Sequence, residues 1–308
     1  MVLKDEYKAA APRMRSVRDL VRFGISRFNE AGLAYGHGTD NALDEAFYLV
    51  RHALHFGHDQ MDAFLDARLT RSEVRAVLEL LQRRVQERRP AAYLTREAWI
   101  GPHRFYIDER VLVPRSYIGH WLLGDLAPWI EEPEAIGDVL ELGSGSGCLA
   151  VLLALALPNA RVDAVDISTD ALEVARRNIG DYGLEARIRL LQGDLYGSLK
   201  RKRYDLIVAN PPYVRTETMQ HLSPEYRHEP PSALAGGSDG LDFVRRILAG
   251  ARAQLKRKGL LLMEVGHARP LVERVFPKIP FSWIDIDGVD DAVFLLPQAA
   301  LPAVAQAG

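Results

Sequence analysis

A single cysteine, Cys148, in a chain of 308 residues leaves no material for an intrachain disulfide framework or a cysteine-based zinc cage. That scarcity fits a reducing compartment. An excess of one charge sign is also missing. The 39 Lys and Arg stand against 41 Asp and Glu, a formal net charge of -2, so no global basic field is available to hold nucleic acid. Long hydrophobic runs are absent too: the longest, residues 149–157, is far too short to span a bilayer. Residues 1–15 are charged and lack an apolar core, so no signal peptide is expected. The expectation is a cytoplasmic protein with no membrane partner. No internal repeat is visible, and the only biased tract is the Ala/Pro-rich stretch 299–308, which reads as a frayed end. What remains is ordinary for a globular chain, 48% hydrophobic and 26% charged, and long enough for one large or two smaller domains.

Residues 1–95 carry the spacing of amphipathic helices. Val17, Leu20, Val21 and Phe28 share one face, as do Ala46, Leu49, Val50, Ala53 and Leu54. A third helix opens on Thr70-Arg71-Ser72-Glu73, the form of a capping box, and continues through Val74, Val77, Leu78, Leu81 and Val85 until Pro90. Arg83, Arg84, Arg88 and Arg89 on its outer side read as a solvated face, with an acidic partner or RNA as the alternative. Residues 96–114 are expected to form a linking β-hairpin, with strands at 105–107 and 111–113 around Asp108-Glu109-Arg110.

Residues 115–308 change to strand alternating with helix. Apolar runs at 139–142, 162–167, 188–191, 206–209 and 260–265 alternate with helical stretches at 149–157, 170–179 and 241–255. The pattern predicts an α/β fold with a doubly wound, mostly parallel sheet. Residues 283–286 and 292–296, separated by a Gly- and Asp-containing turn, predict a terminal hairpin that adds an antiparallel strand.

Chemistry concentrates at the ends of these strands. The first runs into Glu141-Leu142-Gly143-Ser144-Gly145-Ser146-Gly147 and then directly into a helix, so the chain turns sharply where a ligand can approach its backbone. The next strand ends at Asp166, whose carboxylate could hold two ribose hydroxyls. A dinucleotide loop would place its third glycine where Cys148 stands, and no phosphate-loop lysine follows, which argues against NAD and against ATP hydrolysis. The fourth strand delivers Asn210-Pro211-Pro212-Tyr213. A turn is the bland reading of these four residues. The alternative is a grip on a planar amino group. Proline biases the residue before it to an extended backbone and removes a donor, leaving carbonyls and the Asn210 amide as acceptors, with Tyr213 as a stacking face. No strong base and no metal are called for.

The Glu-x-Gly-x-Gly-x-Gly loop resembles the first motif of S-adenosylmethionine-dependent methyltransferases with a seven-stranded Rossmann-like sheet. That resemblance implies cofactor contacts from Glu141, Gly143, Ser144, Gly145, Ser146, Gly147, Asp166, Asp194, Leu195 and Asn210, and a catalytic role for Asn210, Pro211, Pro212 and Tyr213. The tetrapeptide recurs in methyltransferases acting on nitrogen conjugated to a π system. Over essentially the whole chain, the order of helical domain, hairpin and methyltransferase domain resembles the HemK-like protein-glutamine methyltransferases, which implies that residues 1–95 are a substrate-recognition domain. Val111-Leu112-Val113-Pro114-Arg115 looks like that family's hairpin exit, and residues 229–241 like its loop beyond the active site. Residues 35–41 and 225–230 are similar to the branch that methylates a glutamine of large-subunit ribosomal protein L3 (uL3), free or in a ribosome-assembly particle. His37 and His228, within those segments, are given no catalytic role. The release-factor branch is the nearest alternative. An adenine-specific DNA methyltransferase is more remote, since no basic target-recognition domain is present and no DNA partner is expected. A non-catalytic cofactor-binding module is the reading from a different class.

Overall fold

In the strands of the sheet, successive side chains go to opposite faces, and both faces of this sheet are covered. Leu140, Leu142, Val165, Ile207, Ala209, Leu261 and Met263 pack into one apolar layer, while Val139, Val162, Ala164, Leu206, Val208 and Leu262 pack into the other. The computed structural model describes residues 3–57, 60–199, 202–286 and 288–302. Two compact units emerge: Met1–Ala98 with Leu222–His228, and Trp99–His221 with Glu229–Gly308.

The helical unit contains α1 (Asp5–Ala10), α2 (Val17–Glu30), α3 (Ala42–Ala53), α4 (Met61–Phe64), α5 (Arg71–Glu87) and α6 (Ala91–Thr95). Its core includes Val17, Leu20, Phe28, Ala46, Leu49, Val50, Val77, Leu78 and Leu81, the faces marked by the apolar spacing. The capping box at Thr70 and Glu73 forms as expected. The helix it starts ends before Pro90, at Glu87, with Arg88 in the left-handed conformation.

The four-arginine face needs correction. Arg84 is fully buried, its guanidinium set against the equally buried Glu45 and Glu225, and Arg88 also reaches Glu225. A cation can enter a core when carboxylates and carbonyls satisfy its donors, and periodicity alone does not reveal those partners.

The hairpin also differs from its expected position. Its strands are β1 (Glu97–Ile100) and β2 (His103–Tyr106), turning at Gly101 with φ +54°. Residues 111–113 form no strand. Asp108 closes a local turn on itself, its carboxylate accepting the Arg110 N–H at 3.1 Å and its carbonyl the Val111 N–H. The Val113 N–H is taken by the Glu229 carboxylate at 3.1 Å, so no ladder is left for it.

The second unit continues with α7 (Tyr117–Trp121), β3 (Asp138–Leu142), α8 (Cys148–Ala156), β4 (Arg161–Asp166), α9 (Thr169–Asp181), β5 (Ile188–Gln192), β6 (Tyr204–Ala209), α10 (Thr216–Met219), α11 (Asp242–Gln254), β7 (Leu255–Glu264), α12 (Arg269–Val275), β8 (Ser282–Ile286) and β9 (Val289–Pro297). The seven strands lie in the order β5-β4-β3-β6-β7-β9-β8, parallel from β5 to β7, with β9 antiparallel to both β7 and β8. The terminal hairpin therefore forms as expected, although Asp287 in its turn and residues 303–308 lie outside the described residues. Among the described residues no helix is long and apolar enough to cross a membrane. Strand order reverses between β3 and β6, and such a switch point opens a crevice at the carboxyl ends of the strands.

Candidate active site

At that crevice, a cavity of about 170 Å³ is lined by residues from each of the strand ends singled out by sequence. Gly143 and Gly145 follow β3, Asp166 ends β4, Asp194 and Leu195 follow β5, and Asn210, Pro211 and Pro212 follow β6. Glu141, Ser144, Ser146 and Gly147 do not line it, and the first three are buried.

The loop holds its shape through backbone signs and through Asp166. Gly143, Gly145 and Gly147 all have φ between 51° and 78°, a region costly for other residues. A Cβ on Gly147 would also stand 2.9 Å from the Ala175 Cβ, so the residue lets α8 start close against α9. One Asp166 oxygen accepts the Gly145 N–H at 2.8 Å and the other accepts the Ser168 N–H at 2.9 Å. Both carboxylate oxygens are therefore oriented, each with lone-pair capacity left for a ligand. Asn178 was not foreseen. Its side chain donates to the Ser146 carbonyl at 2.8 Å and exchanges two bonds with Tyr106, tying the loop to the end of β2.

Unmet polar capacity collects under the loop. The Glu141 Oε2 and Ser144 Oγ are buried without a hydrogen-bond partner among the described residues. Burial pushes the Glu141 carboxyl well above its ordinary range, and the negative charge of Asp166 adds to the effect. A cationic, polar ligand would relieve both. The cavity walls also include Ile167, a 64%-exposed aliphatic side chain, and Phe243, neither foreseen from sequence. Asp194 is held by Arg246 of α11 at 2.6 Å.

The tetrapeptide sits in a mould of glycines. A Cβ on Gly236 would fall 2.6 Å from the Tyr213 Cα, 2.8 Å from the Pro212 carbonyl oxygen and 2.9 Å from the Gly240 oxygen. The Tyr213 ring rests on Gly266, where a Cβ would lie 2.9 Å from the ring. Tyr213 is thus placed against the loop and does not line the cavity. Backbone bonds from Val214 to Leu234 and from Gly236 to Val214, both 2.8 Å, fix the register of the two segments. The Asn210 side chain makes no hydrogen bond among the described residues and faces the cavity.

Across the sheet, Ala209 pairs with Met263, so Glu264 follows on the strand beside Asn210. Its buried carboxylate accepts the Ser116 hydroxyl at 2.6 Å and the Ile118 N–H at 3.3 Å. Burial outweighs those bonds and pushes the group from 4.5 up to about 7. A carboxyl raised on folding contributes stability that is full below its unfolded value and lost as pH rises through the folded one. Glu264→Gln is therefore expected to flatten the decline in stability between pH 4.5 and about 7, read as urea midpoints across that window. Parallel declines in variant and wild type would reject the assignment.

A switch-point cavity under a glycine-rich loop, with an acidic residue ending the second strand, defines a Rossmann-like methyltransferase, and residues 126–224 match the family model for the methyltransferase small domain. The chain is 55% identical over 298 residues to the ribosomal protein uL3 glutamine methyltransferase of Burkholderia pseudomallei, covering 94% of this chain and 97% of that one. It is 52% identical over 288 residues to the protein of the same description from Bordetella pertussis, with 94% and 97% covered. The chain belongs to the family of ribosomal protein uL3 glutamine methyltransferases. Among solved structures, a methyltransferase from Pyrococcus furiosus is similar at 20% identity and a TM-score of 0.46, covering 63% of this chain and 88% of that one.

Proposed function

We propose that this protein transfers a methyl group from S-adenosylmethionine to the side-chain amide nitrogen of a glutamine in ribosomal protein uL3. The observation that carries the chemistry is the Asn210 amide, without a hydrogen bond among the described residues, facing the cavity between the glycine loop and Asp166. Membership of the uL3 glutamine methyltransferase family supports the substrate. The cofactor supplies an electrophilic methyl on a cationic sulfur when bound.

The residues fit such a ligand. Asp166 would hold the ribose hydroxyls on its oriented carboxylate, and Ile167, Leu195 and Phe243 offer apolar walls for a base flanked by Asp194. Gly143 and Gly145 allow close backbone approach. Glu141, Ser144, Ser146 and Gly147 act from behind the lining, the buried Glu141 Oε2 favouring the cationic end.

The amide nitrogen is a poor nucleophile because its lone pair is delocalised into the carbonyl. The Asn210 side-chain oxygen and the Pro211 carbonyl would each accept one of its N–H groups, fixing the nitrogen in line with the methyl. They would also stabilise the positive charge that develops on it. Pro212 keeps the backbone rigid, and Tyr213, with its ring seated on Gly266, would stack on the amide plane. The proton leaves after transfer, so no strong base is needed. A ribosomal-protein substrate supports a cytoplasmic activity, on free uL3 or on an assembling particle.

Labelled cofactor incubated with separated ribosomal proteins and release factors, followed by mass spectrometry, tests the reading. A single methyl on a uL3 glutamine is expected. Label confined to a release factor would move the chain to the other branch, and label on neither would refute the function. Asp166→Ala should separately weaken binding of S-adenosylhomocysteine by about 10–100-fold, the scale of hydrogen bonds to a charged group. An unaltered dissociation constant would reject its ribose role.

A further inference from the structure

Of the two segments similar to the uL3 branch, 35–41 and the first part of 225–230, residues 225–228, meet in the helical unit, and their junction is built around a buried ion cluster. Glu225 is 0% exposed. It accepts the Ala34 N–H at 3.2 Å, Arg84 at 3.4 Å and Arg88 at 2.9 Å. Arg84, also 0% exposed, donates to Glu45 at 2.6 Å and to the Ala34 carbonyl at 2.9 Å. The His37 ring lies 4.2 Å from that of Tyr226, and a Cβ on Gly36 would fall 2.6 Å from the Tyr226 hydroxyl. The His228 Nε2 closes the junction on the Glu87 carbonyl at 3.1 Å.

A buried ion cluster is a poor way to add stability, because desolvation offsets most of its attraction. Its use lies in specifying one arrangement, and here the specified partner is unusual. Leu222–His228 belongs to the helical unit, whereas the chain on either side of it, through His221 and from Glu229, belongs to the methyltransferase unit. Upstream, that chain leads back through Val214 to the Asn210–Tyr213 tetrapeptide, held by the Val214 bonds to Leu234 and Gly236. Downstream, Glu229 accepts the Val113 N–H and both Arg115 terminal nitrogens, and Pro230 lines the cavity.

We propose that Leu222–His228 is a latch: its capture by Arg84 and Arg88 through Glu225 fixes the chain on both sides of it, and thereby the surface that presents the glutamine of the protein substrate to the clamp. Glu225 and Arg84 are positioning residues that set affinity for the protein substrate. Their effect on the cavity is confined to the side lined by the tetrapeptide and Pro230, since the glycine loop and Asp166 come from other parts of the chain. The proposal rests on reading the protein as a protein-glutamine methyltransferase.

The test uses the full chain carrying Glu225→Gln, with uL3 as substrate. The KM for uL3 should rise by about tenfold or more, on the scale that misplacement of a substrate-positioning element produces, with kcat changed less. Affinity for S-adenosylhomocysteine should stay within about twofold, because Asp166 and the glycine loop keep their own bonds. Hydrogen exchange of the unliganded protein should quicken at 214–221 as well as at 222–228. If Glu225→Gln does not fold, His228→Ala, which keeps the ion cluster and removes only the bond to Glu87, carries the same measurements. A wild-type KM in a folded variant, or faster exchange confined to 222–228, would overturn the latch. Inactivity of the wild-type protein on uL3 would instead refute the functional reading, and the exchange measurement would still decide the latch.

Discussion

Replacing Asn210 by alanine is expected to lower turnover by about 10²–10³-fold, the usual scale for removing one preorganised polar group at a reacting centre. The dissociation constant of S-adenosylhomocysteine should hardly change. The split follows from what the side chain touches. It makes no bond within the described protein, so the fold loses little when it goes, and the cavity keeps its glycine loop and Asp166. What goes is an acceptor aimed at the incoming nitrogen, needed most when that nitrogen is becoming positive. KM for uL3 should rise less than kcat falls, because the rest of the protein substrate binds elsewhere. The same variant separates classes of function. A non-catalytic cofactor-binding module has no use for an unpaired amide there, and its ligand binding would be its whole phenotype. Single-turnover methylation at saturating cofactor is the measurement, and a rate within about threefold of wild type would remove Asn210 from the mechanism.

Much of this site is legible in the sequence. Val139 to Leu142 and Leu206 to Ala209 read as strands because a strand buried on both faces is a continuous apolar run, and both are found as adjacent parallel strands. Adjacency at the point where strand order reverses then brings Gly143 and Asn210 to one cavity, as the doubly wound reading expected. Short-range patterns were equally readable, as the Thr70 capping box shows. Partners far apart in the chain were not. Arg84 reads as solvent-facing because its carboxylates, Glu45 and Glu225, lie in other elements, and no periodicity couples them. The hairpin lies elsewhere than its composition suggests for a similar reason. Val111 and Val113 have the composition of a strand, but the Val113 N–H is claimed by Glu229 from far along the sequence. Phe243 and Asn178 carry no motif and announce themselves only through what they touch.

Gly236→Ala is expected to cost about 10²-fold in turnover, although Gly236 lies outside both the Glu141–Gly147 loop and the Asn210–Tyr213 tetrapeptide. The reason is steric and local. An alanine Cβ would meet the Tyr213 Cα and two carbonyl oxygens, of Pro212 and Gly240, all below 3 Å. These are backbone atoms and cannot swing aside as the tip of a side chain would. The obstruction is relieved only by moving 235–240 away from 212–214, and the 2.8 Å bonds between Val214 and its partners at Leu234 and Gly236 oppose that. The tetrapeptide therefore shifts by a few tenths of an ångström or more, and the Pro211 carbonyl and Asn210 amide lose the line on which the nitrogen must approach. Gly240 adds a second constraint, with φ +85° and a Cβ position 2.5 Å from the Tyr213 oxygen, so Gly240→Ala should be at least as damaging. Asp166 and the glycine loop are untouched, so cofactor affinity should stay within about twofold of wild type in both variants. The discriminating pattern is lost kcat with cofactor binding retained and a melting temperature lowered by only a few degrees. Full turnover in Gly236→Ala would mean that the clamp tolerates displacement, and the argument that its rigidity aligns the amide would fail with it.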